Sequence, residues 1–230
     1  MTRDAVSQRR DVAIVLSGGG MNGVLLELGF LERLRETSLW ARVGWVFGTS
    51  AGALTGTAAV LDRLDDLERF LLELRPEETF RPQRLWRLPL LGLHEYALPA
   101  TIASRLGPIE SLAADVIASE VELVVCATDV SEPMDRTGSE LVYSSRTTAA
   151  PELGQAILAS AAISALVLPL RVGDRIATDG SWVRNYPLAH AYDTPGVETI
   201  VSFCYSPMWP PLGAAALAPL RRRLARFGRC

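Results

Sequence analysis

Residues 45–61 read WVFGTSAGALTGTAAVL. A short apolar run leads into the motif GTSAG, and a helical run follows it. This layout is typical of a serine on a tight turn between a strand and a helix, where Gly48 and Gly52 avoid clashes with neighbouring elements. It predicts Ser50 as a nucleophile at the carboxyl edge of a sheet, with a helix N-terminus behind it. The alternative is an ordinary turn whose hydroxyl side chain caps the helix.

A glycine-rich loop lies upstream of this motif. Residues 17–23 read SGGGMNG, between a strand-like run at 11–16 and an amphipathic helical run. Consecutive glycines leave backbone N–H groups unobstructed, and the following helix directs its positive end to the same place. The loop therefore predicts an oxyanion hole. Its glycines are Gly18, Gly19 and Gly20, with Gly23 as a supporting residue.

The same glycines also fit the dinucleotide-binding pattern G-x-G-x-x-G. That pattern expects an acidic residue about twenty positions further on, at the end of the second strand, to bind the ribose. The chain has Ala41, Arg42 and Val43 there. Arg42 is compatible with a 2′-phosphate, so an NADP-dependent enzyme remains an alternative.

A third motif lies far downstream. The strand-like run Ile176–Thr178 is followed by Asp179 and Gly180, and Tyr186-Pro187 then predicts the start of another helix. On its own, an Asp-Gly pair is usually only a turn signal. Its functional interpretation depends on the two motifs that precede it in the chain.

The glycine loop, the serine turn and the Asp-Gly turn, in this order on successive strand ends, resemble the patatin-like phospholipase family. The resemblance runs from about Asp11 to about Phe203, and the stretches 159–170 and 185–188 around the aspartate are also similar. It implies a three-layer α/β/α fold with a mostly parallel central sheet. It also implies a lipid acyl hydrolase that needs no cofactor and no metal.

Two positions depart from the family pattern. Asn22 stands where the glycine loop commonly carries Arg or Lys, and Ser181 stands where the aspartate turn usually has Gly or Ala. Neither change removes an atom that the reaction needs. We expect them to influence the rate and the head group rather than the type of reaction.

A Ser-His-Asp triad needs a histidine as its base, so the positions of the histidines test whether the chain has one. The chain has two histidines, His94 in a region rich in Pro and Leu, and His190 in the predicted helix after Asp179. An α/β-hydrolase carries its histidine after the last strand, yet none follows the strand-like run Thr199–Phe203. The serine therefore needs another base.

The family resemblance implies a dyad, with Ser50 as nucleophile and Asp179 as general base. An aspartate with an ordinary pKa of about 3.9 is a weak base for a hydroxyl, so its site has to be partly desolvated. Ile176, Ala177 and Trp182 are apolar neighbours that would provide this environment.

Composition limits the function classes. The 230-residue chain has a net charge of −3, and all its basic residues are arginine. Such a charge argues against nucleic acid as a partner. The three cysteines lack metal-ligand spacing, which favours buried or incidental thiols in a reducing compartment. Neither a secretory signal nor a membrane-spanning run is recognisable, so we expect a cytoplasmic protein that meets its lipid at an interface. Peripheral membrane association is the further option.

The strand and helix alternation predicts one domain at 11–205, with a variable lid-like region at 62–119 and a tail at 206–230. The lid-like region is either a short-helix excursion packed over the core or a lid that contacts lipid. The tail is rich in Pro and then in Arg, with apolar residues at helical spacing. It is either a helix docked on the core or a basic amphipathic helix that binds anionic membranes.

The preferred hypothesis is a serine hydrolase that cleaves the carboxylic esters of phospholipids or other acyl lipids. The main alternative keeps the fold but has little or no turnover, and acts as a lipid-binding or partner-binding module.

Overall fold

The structure is a computed structural model that describes residues 9–83, 93–131, 139–163 and 166–205. Strands and helices alternate along most of this part of the chain. The strands are β1 (Val12–Leu16), β2 (Val43–Thr49), β3 (Phe80–Pro82), β4 (His94–Tyr96), β5 (Glu122–Asp129), β6 (Ser139–Ser144), β7 (Leu170–Val172), β8 (Arg175–Asp179) and β9 (Thr199–Phe203). The α-helices are α1 (Gly20–Arg35), α2 (Ala51–Val60), α3 (Leu64–Glu73), α4 (Leu98–Arg105), α5 (Ile109–Ala118), α6 (Ala150–Ser160), α7 (Ser181–Arg184) and α8 (Leu188–Asp193). Two 3₁₀ helices span Trp40–Arg42 and Pro76–Glu78.

Seven of the strands form one mixed sheet in the order β7-β8-β5-β2-β1-β9, with β6 also paired to β5. The four strands β9, β1, β2 and β5 are parallel, whereas β6, β8 and β7 join as antiparallel neighbours. β3 and β4 form a separate antiparallel pair. The α/β class and the mostly parallel central sheet predicted from the sequence are confirmed.

Both faces of the sheet are covered, which explains why β1 is apolar and buried throughout. Successive side chains of β1 point to opposite faces. Ile14 and Leu16 belong to the main core, to which α1, α2, α3, α5 and α6 contribute. Ala13 and Val15 belong to a second cluster that includes Ala191 of α8. These two clusters give the three layers of the fold.

The described part of the lid-like region packs on this core. Phe70 of α3, Leu98 and Ile102 of α4, and Leu112 of α5 form one buried cluster with Leu158 of α6. Residues 84–92 of the predicted lid and the tail at 206–230 lie outside the described residues, so their membrane roles stay predictions. Within the described ranges, no helix has the length and apolar character needed to cross a bilayer.

Candidate active site

The serine turn has the strained geometry that its sequence predicts. Ser50 lies between β2 and α2 with φ 55° and ψ −115°. A positive φ is costly for a residue with a side chain and is maintained only when the surroundings enforce it. A Cβ at Gly48 would lie 2.2 Å from the carbonyl oxygen of Gly52, and a Cβ at Gly52 would lie 2.6 Å from that of Leu16. The close packing of the turn therefore requires both glycines.

The register of β5 brings the two predicted catalytic residues together. β2 pairs with the first part of β5, placing Thr49 opposite Cys126, and β8 pairs with its last part, placing Asp179 opposite Ala127. β6 pairs with residues from both of these parts, so it lies along one edge of β5 while β2 and β8 share the opposite edge. Ser50 follows Thr49 directly, and its Oγ donates a 2.6 Å hydrogen bond to Asp179 Oδ2.

Asp179 is held rigidly in a buried position. It is 4 % exposed, and its Oδ1 accepts a 2.8 Å hydrogen bond from the backbone N–H of Ser181. Its own carbonyl accepts a hydrogen bond from the Thr128 hydroxyl at 2.8 Å. At the next residue, a Cβ on Gly180 would lie 2.2 Å from the Cys126 carbonyl oxygen, so the turn admits only glycine without rearrangement.

Burial raises the pKa of Asp179, and the hydrogen bonds from Ser50 and Ser181 lower it less than burial raises it. Asp179 is therefore desolvated, as the sequence predicts. The prediction that Trp182 contributes to this desolvation is wrong. Trp182 is 64 % exposed and lines the open cleft instead of covering the carboxylate. The Ser181 contact with Asp179 Oδ1 comes from the backbone. The Ser181 side chain also lowers the pKa of Asp179, so a Gly or Ala at this position would lack part of this effect.

The glycine loop follows β1 and faces the same cleft. The N–H of Gly18 already donates to the Asn185 carbonyl at 2.9 Å. Gly20 has φ 56°, which a residue without a side chain adopts readily. Within the described part of the chain, neither Gly19 nor Gly20 uses its N–H in a hydrogen bond. Gly23 packs against Ala51 at the start of α2, so the loop and the serine turn support each other.

The glycine loop, the serine turn and the turn after Asp179 line an open cleft of about 350 Å³. Both members of the Ser50–Asp179 pair line it. The other lining residues are Gly18, Gly19, Gly20, Ile163, Ser181, Trp182, Asn185 and Tyr205. The cleft thus places a buried hydroxyl–carboxylate pair opposite a glycine loop with free donors. This arrangement suits attack on a carbonyl carbon with stabilisation of the resulting oxyanion.

Ser160 is a supporting residue to which the sequence analysis assigned no role. It is fully buried at the end of α6. Its Oγ accepts the N–H of Ser50 at 2.8 Å and donates to the Cys126 carbonyl at 2.6 Å. Ser160 therefore joins the serine turn to β5. Its membership of the family-like stretch 159–170 was the only signal in the sequence.

Neither histidine is placed to serve Ser50. Nε2 of His190 lies 2.8 Å from Oε1 of Glu140, on the β6 strand. His94 lies in β4, opposite Pro82 of β3. Among the described residues, no hydrogen bond connects either histidine to Ser50 or to Asp179.

Arg42, the residue that kept the NADP hypothesis open, lies at the wrong end of the sheet. It precedes β2, whereas the glycine loop follows the parallel strand β1, so the two lie at opposite edges. Its guanidinium forms a two-point ion pair with Asp11, with both N–O distances 2.8 Å. This pairing lowers the pKa of Asp11. Arg42 therefore lies away from the glycine loop, and the structure gives no support to a 2′-phosphate held by both.

Three potential metal ligands meet behind the serine turn, a proximity that the cysteine spacing does not reveal. Atoms of Cys126, Glu140 and His190 lie within 4.8 Å of one another. Glu140 is already bound at both oxygens by Arg184, at 3.0 Å each. Burial raises the pKa of the Cys126 thiol to about 12, which disfavours the thiolate that a metal requires. This arrangement resembles a closed ion-pair network that connects α7 and α8 to the sheet.

Comparisons with known proteins identify the family of the chain. The sequence pattern of the family described as "Patatin-like phospholipase" matches residues 14–192. No curated protein sequence shows significant similarity to the chain.

Two solved structures match parts of the chain. VipD from Legionella pneumophila is 15 % identical with a TM-score of 0.57, and the match covers 92 % of this chain and 53 % of VipD. The chain thus spans about half the length of VipD. Human GIVD cytosolic phospholipase A2 is 17 % identical with a TM-score of 0.38, covering 63 % of this chain and 23 % of that protein.

Proposed function

Because the chain belongs to the patatin-like phospholipase family, we propose that it is a serine lipid acyl hydrolase that uses Ser50 and Asp179 as a dyad. Its substrates are carboxylic esters of phospholipids or of other acyl lipids. The observation that carries the proposal is the 2.6 Å hydrogen bond from Ser50 Oγ to a buried carboxylate beside a glycine loop. This family implies activity on lipid esters, and the contact between Ser50 and Asp179 supports their assignment as the reacting groups.

In the first half-reaction, Ser50 Oγ attacks the ester carbonyl carbon while its proton passes to Asp179 Oδ2. The carbonyl π electrons move to oxygen and form the oxyanion. When the tetrahedral intermediate collapses, the C–O bond to the alcohol breaks, and Asp179 returns the proton to the leaving oxygen. The raised pKa of Asp179 makes it a better base than an ordinary aspartate.

In the second half-reaction, a water attacks the acyl-serine and gives its proton to Asp179. Collapse of this intermediate breaks the bond between the acyl carbon and Ser50 Oγ, which takes the proton back. The products are a fatty acid and the regenerated dyad. One carboxylate is therefore base and acid in turn at both steps.

The oxyanion is proposed to accept hydrogen bonds from the N–H groups of Gly19 and Gly20. Gly18 belongs to the same loop, but its N–H is already engaged by Asn185, so its role is to position the other two. Asn22 is exposed in the first turn of α1 and provides no fixed charge near these donors. Removal of one oxyanion donor typically costs about 100-fold to 1000-fold in kcat, so these two groups are central to the proposal.

A cytoplasmic protein that meets lipid at a membrane surface fits this chemistry. Trp182 is 64 % exposed at the cleft, where an amphipathic ring favours the interface between water and lipid. The lid-like region at 62–119 and the tail at 206–230 are the proposed further contacts. We propose no nucleic acid partner and no cofactor for this reaction.

The test is covalent labelling with a fluorophosphonate ester. This probe needs an activated serine but no knowledge of the substrate. We expect labelling of wild type at Ser50, shown by peptide mass spectrometry, together with hydrolysis of a short-chain nitrophenyl ester. The Ser50→Ala variant should fold, resist labelling and lose hydrolysis.

A different outcome would favour the alternative function. If the folded wild type neither reacts with the probe nor hydrolyses esters, yet binds lipid vesicles, the protein is a lipid-binding module. Wild-type hydrolysis by Ser50→Ala would place the nucleophile elsewhere.

A further inference from the structure

A second cavity of about 100 Å³ lies between the helices on one side of the sheet, and it is lined mainly by apolar side chains. Helices α1 to α6 all contribute to it. Its lining does not overlap that of the catalytic cleft. The apolar lining residues are Met21, Val24, Leu54, Ala58, Leu61, Leu67, Phe70, Leu71, Leu74, Leu98, Ile102, Leu106, Ile109, Leu112 and Ile157.

The floor of this cavity continues the helix face that begins at the nucleophile. Leu54, Ala58 and Leu61 follow Ser50 at intervals of four, four and three residues, which places them on one face of α2. Leu54 and Ala58 are only partly buried, whereas the other residues of α2 are buried. At 1.5 Å per residue, this face extends about 16 Å from Ser50 to Leu61. An extended octanoyl chain is shorter than this face, and an extended palmitoyl chain is longer than it.

The two ends of the cavity differ in character. Met21 lies at the near end, directly after the loop glycine Gly20, and is 44 % exposed. Its unbranched side chain can move aside for a ligand. The far end lies beyond the C-terminus of α2, where Nε of Arg63 pairs with Oδ2 of Asp66 at 2.6 Å. The charges of this ion pair end the apolar lining.

The lining offers few polar groups to a ligand. The Thr57 hydroxyl donates to the Ala53 carbonyl at 2.7 Å, and Arg63 and Asp66 are paired with each other. The Thr79 hydroxyl is the only unpartnered side-chain group of the lining among the described residues. A phosphate or a glycerol would lose most of its hydrogen bonds there, whereas a hydrocarbon chain would lose none.

We propose that this cavity is the acyl-chain subsite of the Ser50 centre and that its far end makes the enzyme selective for acyl chains of medium length. The inference rests on the proposed function. With the ester carbonyl at Ser50, the chain passes Met21 and runs along Leu54 and Ala58 towards Leu61. An apolar cavity of about 150 Å³ in another protein stays dry and binds benzene, so a cavity of 100 Å³ is large enough to hold several carbons of a chain without rearrangement.

The kinetic test compares chain lengths. For nitrophenyl acetate, octanoate and palmitate, kcat/KM is measured with the 230-residue chain. Wild type should favour octanoate over both other esters. Ala58→Phe should fill the cavity and lower the ratio of octanoate to acetate by about tenfold or more, since each methylene lost from the cavity costs about fourfold. Leu106→Ala should enlarge the cavity and raise the ratio of palmitate to octanoate.

The matched control is Leu72→Phe, which adds an aromatic ring to a residue of α3 that is 79 % exposed and does not line the cavity. It should keep the wild-type ratios. Ratios that stay unchanged in folded Ala58→Phe and Leu106→Ala overturn the inference, even if Ser50 is confirmed as the nucleophile.

A binding measurement separates this inference from the proposed function. Octanoate and acetate are titrated separately into Ser50→Ala by isothermal titration calorimetry. We expect octanoate to bind far more tightly than acetate, and Ala58→Phe introduced into the same background to weaken the binding of octanoate. This result supports the subsite even if wild type hydrolyses no ester. Absence of octanoate binding overturns the inference, and this measurement also decides the question if Ala58→Phe alone fails to fold.

Discussion

Ser50 Oγ lies 2.6 Å from Asp179 Oδ2, although 129 positions separate the two residues in the chain. Their proximity follows from the register of β5, because β2 and β8 use successive parts of the same edge of that strand. The arrangement has a cost in stability. Burial raises the pKa of Asp179, so keeping the base ionised at neutral pH opposes folding.

The first prediction concerns Asp179→Asn. An amide cannot accept the serine proton, so hydrolysis should fall nearly as far as in Ser50→Ala. The free energy of unfolding, in contrast, should rise at neutral pH. Because the pKa of Asp179 is raised in the folded state, its unfavourable contribution is absent at acidic pH and grows as the pH rises towards the folded-state pKa. The variant should therefore melt higher than wild type at neutral pH and show no such gain in acid.

His190→Ala and His94→Ala are the controls for this prediction. Both should retain most of the ester hydrolysis, since no hydrogen bond among the described residues connects either histidine to the dyad. If folded His190→Ala loses as much activity as Asp179→Asn, a histidine is the base and the dyad is wrong.

The second prediction concerns the support of the serine turn. Ser160→Ala removes the acceptor for the Ser50 N–H and the donor to the Cys126 carbonyl. Unpartnered buried groups cost about 1–3 kcal/mol each, so the free energy of unfolding should fall and kcat should fall with it. Urea denaturation and steady-state kinetics measure the two effects.

Ser145→Ala is the matched control. Ser145 is also buried and accepts one backbone N–H, from Leu123 at 3.0 Å, but it has no contact with the serine turn. It should lower stability and leave kcat close to wild type. Equal kcat in the two variants would show that Ser160 supports the fold only.

The third prediction concerns a buried carboxyl group between the two motif-bearing helices. Glu27 of α1 accepts a 2.7 Å hydrogen bond from Thr55 of α2, and burial raises the pKa of Glu27 to about 8. The folded state therefore keeps Glu27 protonated, while the unfolded chain ionises it from about pH 4.5 upward. Wild type should lose stability across pH 5 to 8 through this group, by up to about 1.4 kcal/mol per pH unit.

Glu27→Gln should remove this slope, because an amide resembles the protonated acid and does not ionise. Its stability relative to wild type should rise steadily from pH 5 to pH 8, as measured by chemical denaturation. Glu68→Gln changes an exposed residue of α3 and serves as control, with the wild-type slope expected. Parallel curves for wild type and Glu27→Gln would contradict the prediction.

The fourth prediction compares two Gly→Ala changes. In Gly48→Ala the new methyl would lie 2.2 Å from the Gly52 carbonyl oxygen, so the serine turn has to shift, and both folding and hydrolysis should suffer severely. In Gly29→Ala, within α1, the methyl meets nothing within 4 Å. That variant should gain up to about 1 kcal/mol, because alanine is less flexible than glycine in the unfolded chain. Thermal unfolding of both variants gives the comparison, and a stable, active Gly48→Ala would refute the tight turn.

The fifth prediction rests on sequence alone. The tail has five arginines after Leu212 and no acidic residue. If it binds membranes, truncation before Leu212 should weaken binding to anionic vesicles but not to zwitterionic ones, and added salt should have the same effect. If truncation instead lowers the melting temperature and leaves vesicle binding unchanged, the tail is a docked helix.

The local features of the fold were predictable because they depend on short-range physics. The buried strands β1 and β2 are continuous apolar runs, and the turn at Ser50 follows from a serine between small residues. The sequence left the hypothesis of a cofactor phosphate at Arg42 open, because it does not show which group Arg42 pairs with. A 3₁₀ helix occupies Trp40–Arg42 and places the arginine before the strand, at the Asp11 end of the sheet.

The candidate reacting groups, the glycine loop and the α/β class were predictable from the sequence, because each depends on patterns within short segments. Which of these groups meet depends on the tertiary structure. The pairing of Ser50 with Asp179, the support from Ser160 and the network of Cys126, Glu140 and His190 all depend on the strand order around β5 and the helices packed on it. Strand order and helix packing are set by burial summed over the whole core. No single segment contains that information.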